Sequence, residues 1–98
     1  MTPAPAEVSL SEAERIAAAV SSLPSVAGLH SGRFGLIASF GPGRRVNGVR
    51  IDEEAVTVSV TVEVPFVADT VATAVRSVVR SHDRAVNVFI ADLADPER

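Results

Sequence analysis

The chain has 98 residues and a formal net charge of −3, and its 47% hydrophobic content is mostly alanine and valine, with four phenylalanines as the only aromatics. That length supports one domain with a single two-layer core, burying about 60–70% of the surface exposed when unfolded. The absence of cysteine excludes disulfides, thiolate catalysis and cysteine-ligated zinc or iron–sulfur centres, and no apolar run approaches the ~20 residues that cross a bilayer.

Residues 1–10 carry Pro3 and Pro5 among small side chains and read as a flexible lead-in. They lack the basic flank and apolar centre of a signal peptide, so a cytoplasmic location is expected. Ser11 and Glu14 have capping-box spacing. Ile16, Ala17, Val20 and Leu23 follow at helical spacing, which predicts an amphipathic helix over 11–23, stopped by Pro24. Between Val26 and Gly35 apolar residues are interrupted by three glycines, predicting a short bent strand with a turn or bulge near Ser31-Gly32. Gly41-Pro42-Gly43 is a turn. Val46, Val49 and Ile51 flank Asn47-Gly48, which fits a hairpin tip or a bulge; flanks this short favour one strand over 45–51.

The clearest element is 55–64, where Val56, Val58, Val60, Val62 and Val64 alternate with Thr57, Ser59, Thr61 and Glu63. This is the period of a half-buried strand, valines inward and hydroxyls outward. Over 67–81 the valines and Ala74 fall on one helical face, with Asp69 in the first turn and Arg76 and Arg80 near the end, complementing the helix dipole. Val86, Val88 and Ile90 alternate in a last strand. The expected fold is α+β, an α-β-β-β-α-β two-layer sandwich with both helices on one face of a small mixed sheet. The strand–helix–strand unit at its end implies a right-handed crossover. Residues 11–93 form the domain and 94–98 a C-terminal tail.

Charge is unevenly spread. Residues 16–51 contain no acid but hold Arg33, Arg44, Arg45 and Arg50 together with all six glycines. The flanking segments sum to −2 and −5. A basic, glycine-rich segment on an acidic body is a candidate partner-binding surface. Arg33, Arg44, Arg45 and Arg50 are its contacts, and Gly32, Gly35, Gly41, Gly43 and Gly48 shape its backbone. The bland alternative pairs these arginines with Asp52, Glu53 and Glu54. The hydroxyl face of 57–63 is a second candidate surface, for self-association or a partner.

Gly32-Arg33-Phe34-Gly35 matches the G-x-x-G loop that clamps a nucleic-acid backbone in K-homology domains. There the loop joins two helices, whereas here it falls among strands. A small nucleic-acid-binding module using this loop and its neighbouring arginines is the alternative function. His30 and Ser31 could be drawn with an aspartate as a hydrolase triad, but no G-x-S-x-G elbow accompanies them. His30, His82 and Asp83 have no recognised metal-ligand spacing. No catalytic residue, metal or cofactor is assigned.

Taken in order, Val26 to Gly32, Pro42 to Val49, the alternating strand 56–64, a helix and a final alternating strand resemble the alkaline shock protein family of bacterial envelope stress response proteins, in its actinobacterial form. The resemblance covers residues 9–93. It implies a small cytoplasmic protein without catalysis, acting as a scaffold or adaptor and self-associating. It also implies recruitment to the inner face of the membrane by a membrane-anchored protein partner, with no direct insertion.

Overall fold

The computed structural model describes residues 5–32, 34–79 and 84–94, and side chains from residue 10 onward. In chain order it contains α1 (Pro5–Ser21), β1 (Val26–Leu29), β2 (Ala38–Gly41), β3 (Arg44–Asn47), β4 (Val49–Ile51), β5 (Ala55–Glu63), α2 (Ala68–Val79) and β6 (Ala85–Ala94). The fold is α+β, and the described residues form two helices and six strands. The expected single strand over 45–51 is two strands, and β2 is an additional one.

β5 is the middle of the main sheet. β6 runs parallel along one side of it, from Ala55↔Ala85 to Glu63↔Ala94, with one irregularity after Ile90. The other side is shared by two short antiparallel strands set end to end. β4 pairs Val49 with Val58 and Ile51 with Val56, and β1 pairs Leu29 with Val60 and Val26 with Val62. The alternation read in the sequence has its physical counterpart here. Val56, Val58, Val60 and Val62 are fully buried beneath the helices, each worth about 1.5–3 kcal/mol of apolar transfer. Against them pack Ala13, Ile16 and Val20 of α1, and Val71, Val75 and Val79 of α2, one turn apart on a single face.

α1 begins at Pro5, inside the expected lead-in, and Ser11 lies within the helix rather than at its cap. Two features explain this. Proline is favoured at the first helical position, where its missing N–H costs nothing. Leu10 is buried and extends the apolar stripe one turn toward the N-terminus. The helix ends at Ser21, and a last tight turn carries the Leu23 amide to the Val20 carbonyl at 3.1 Å.

β2 and β3 form a hairpin separate from the main sheet, in register from Ala38↔Asn47 to Gly41↔Arg44. Pro42 and Gly43 make its turn, and Gly43 has φ +66°, the conformation that the third position of a type II turn requires. The hairpin lies against α1. A Cβ on Gly41 would come within 2.6 Å of the Leu10 side chain, so Gly41 serves close packing rather than the turn. Ser39 Oγ donates to the Val49 carbonyl at 2.6 Å and ties the hairpin to β4.

Candidate functional site

The basic segment folds as an excursion from the sheet edge. β1 leaves β5 at His30, whose amide donates to the Ser59 carbonyl at 3.0 Å. The Gly32 amide donates to His30 Nδ1 at 2.9 Å, so this histidine is a turn residue with one ring nitrogen engaged as an acceptor. Gly32 and Gly35 both have positive φ, and the Gly35 amide donates to the Gly32 carbonyl at 3.2 Å. The G-x-x-G stretch is therefore a tight turn on the way from β1 to β2, not a loop between two helices. The Ile37 amide reaches the Ser31 carbonyl at 2.9 Å and closes the excursion.

The arginines go to different places. Arg44 forms an ion pair with Glu14 of α1, an exposed contact worth about 0.2–1 kcal/mol. Arg45 is held on three sides. Its Nε donates to Asn47 Oδ1, its terminal nitrogen donates to the Gly35 carbonyl at 3.1 Å, and its guanidinium sits 5.0 Å from the centre of the Phe40 ring. Arg45 thus joins the hairpin to the Gly32–Gly35 turn. Arg50, opposite Thr57 in β4, projects from the sheet face away from the helices and lies 3.6 Å from Asp52. Arg33 lies outside the described residues, as do Arg80, His82 and Asp83. The expectation of pairing with Asp52, Glu53 and Glu54 holds for Arg50 and Asp52. Arg44 instead turns back to α1, because β3 runs beside that helix.

Around Arg45 the surface is apolar. Phe34 is 78% exposed, Leu36 65% and Phe40 62%. Gly35, the acceptor for Arg45, lies between the first two. The sequence reading places Phe34 in the bent strand expected before Gly35, gives Leu36 and Phe40 no element, and picks out none of the three as surface. The available signal was their company: each is beside a glycine, and none belongs to a period-two or period-3.6 pattern.

The hydroxyl face of β5 departs from its expected openness. Thr57 and Thr61 are half-buried, and Ser59 has no exposed surface. Its Oγ has no hydrogen-bond partner among the described residues. Two neighbours account for the crowding. Phe89 stands beside Ser59 in the β6 register, and the β1–β4 junction closes on its other side at Gly48, where a Cβ would lie 2.9 Å from the Ser59 carbonyl.

Among the described residues no three His, Cys, Asp or Glu side chains converge as a metal site. No helix among them is long and apolar enough to cross a membrane. Comparison of the chain with family models, curated proteins and solved structures finds no match.

Proposed function

We propose that this protein is a non-enzymatic scaffold or adaptor of the envelope stress response class, held at the cytoplasmic face of a membrane by a membrane-anchored protein partner. The observation that carries the reading is the Arg45–Phe40 pair on the outer surface of the hairpin, bordered through Gly35 by Phe34 and Leu36. Arginine and aromatic side chains dominate the energetics of protein–protein contacts. A guanidinium already fixed by Asn47 and the Gly35 carbonyl loses little freedom on binding. Large apolar side chains grouped on a surface mark interaction sites more often than scattered ones do. The order of segments shared with the alkaline shock protein family supports the same reading and supplies its cellular setting.

The test is a crosslinked pull-down of the tagged protein from its native cells, with membrane and soluble fractions analysed separately by mass spectrometry, for the natural chain and for Phe40→Ser. The expected result is an integral-membrane protein enriched by the natural chain and lost with the variant. Enrichment of nucleic acid or ribosomal proteins, abolished by nuclease, would instead favour a nucleic-acid module built on Gly32, Gly35 and the arginines.

A further inference from the structure

Beside the Ser39–Val49 tie, β2 and the end of β4 leave a cleft of about 270 Å³ between them. Ala38 and Phe40 line it from β2, Arg50, Ile51 and Asp52 from the β4 side, and Leu10 from α1. The ladder decides which backbone groups β4 offers there. The Asp52 amide donates to the Ala55 carbonyl at 2.8 Å. Antiparallel alternation then turns the amides and carbonyls of Ile51 and Val49 away from β5. The Val49 carbonyl is the one that Ser39 Oγ occupies, so the outward side is the side facing β2. Ile51 therefore presents one N–H and one C=O to the cleft, and neither has a partner among the described residues.

The side chains divide the cleft by polarity. Arg50 and Asp52 are two residues apart and share the sheet face away from the helices. Arg50 Nε and Asp52 Oδ1 are 3.6 Å apart, beyond hydrogen-bond length. Among the described residues neither side chain makes a hydrogen bond, so the guanidinium fork and the carboxylate are both open to a ligand. Ile51, between them, turns to the opposite face and packs on the core, and Leu10 is buried. One end of the cleft thus holds a cation and an anion side by side. The other end is aliphatic, and a backbone donor and acceptor lie at the edge between them.

We propose that this cleft binds a free apolar α-amino acid. The ligand carboxylate takes the Arg50 fork and the Ile51 N–H, a charge-assisted and bidentate arrangement. Its ammonium takes the Asp52 carboxylate and the Ile51 carbonyl. Its side chain passes the strand edge to Leu10, Ala38 and Ile51. The opposed charges select a zwitterion, since Asp52 repels a simple anion and Arg50 a simple amine. The volume lies below the ~300–1,000 Å³ of pockets for larger ligands. An extended peptide is disfavoured, because Ser39 closes the edge at Val49 and the chain turns into β5 at Glu53-Glu54, leaving one residue of open ladder. Binding here is independent of partner recruitment through the Arg45 surface, so either can fail alone.

The test follows backbone amide shifts of the full chain by NMR during titration with L-leucine. N-acetyl-L-leucine, which lacks the ammonium, and L-leucinamide, which lacks the carboxylate, serve as controls. L-leucine is expected to saturate with a Kd of about 0.1–1 mM, as suits a ligand of so few atoms, and to shift the Ile51 amide most. Each control should bind at least about tenfold more weakly. Arg50→Gln and Asp52→Asn should each weaken L-leucine by a similar factor at an unchanged melting temperature, because both side chains are half exposed. The absence of saturable shifts at Ile51 by about 10 mM would overturn the proposal. So would binding of either control, or of L-leucine to either variant, as tight as that of L-leucine to the natural chain. Shifts at Ile51 from an acidic peptide capped at both ends, with none from L-leucine, would give the cleft to an extended partner chain instead.

Discussion

The Ser59 amide donates to the Gly48 carbonyl at 2.8 Å, at the point where β4 gives way to β1 along one edge of β5. Two short strands separated by a nineteen-residue excursion, residues 30–48, are set end to end there, and Gly48 is the residue that lets them meet. Its φ is +83°, and a Cβ would stand 2.7 Å from the Leu29 Cβ as well as near the Ser59 carbonyl. Neither obstacle is the flexible end of a side chain.

Gly48→Ala should therefore cost about 2–4 kcal/mol, combining left-handed backbone strain with overpacking. Urea unfolding checks this: the midpoint falls while the slope is unchanged. A loss below about 0.5 kcal/mol, the range of ordinary surface substitutions, would mean that the junction can open without consequence.

Ser59→Ala should leave stability unchanged or raise it by about 0.5–1 kcal/mol, because it removes a buried hydroxyl with no partner among the described residues. A clear loss of thermal stability would reveal an acceptor or donor for that hydroxyl.

Val75→Ala should destabilise by about 2–3 kcal/mol, since Val75 is fully buried between α2 and the valines of β5. Val78→Ala, at a half-buried position on the same helix, should cost under about 1 kcal/mol. Paired denaturation curves decide this, and equal losses would place α2 in a different rotation on the sheet.

Arg44→Glu combined with Arg45→Glu should leave the fold intact, as circular dichroism and thermal melting would report, and abolish recruitment of the protein to the membrane fraction. The stability cost at Arg44 is limited to an exposed ion pair with Glu14, about 1 kcal/mol at most. Unchanged recruitment of the folded double variant would remove the hairpin arginines from partner binding.

The parts of this fold legible in the sequence are those in which one period persists across a whole element. β5 and α2 were readable because valine recurs at two-residue spacing in one and at helical spacing in the other, and a single buried face enforces each pattern. β2 was not readable. Ala38-Ser39-Phe40-Gly41 has no alternation of burial to display, since its place is set by Leu10 against Gly41 and by the Ser39–Val49 hydrogen bond, contacts that exist only after folding. The start of α1 was masked by two prolines and by a capping-box motif whose residues lie inside the helix. At the candidate surface, the charge asymmetry singled out residues 16–51. It did not reveal that Arg44, Arg45 and Arg50 diverge, because their directions depend on the β2–β3 pairing and on the break at Gly48.

The sheet also has a consequence for how the chain acquires its structure. β1, β4 and β6 each pair with β5, and none of them pairs with another. During synthesis β1 and β4 emerge without a neighbour, and the first half of the protein can assemble only α1 and the β2–β3 hairpin. When residues 55–63 appear, one strand organises both antiparallel pieces, and the parallel strand must still wait for α2 to be made and docked. Order should therefore arrive late and nearly all at once, as in folds whose contacts are distant in sequence. A nascent chain stalled before Ala55 should remain open to protease, whereas one released at full length should not.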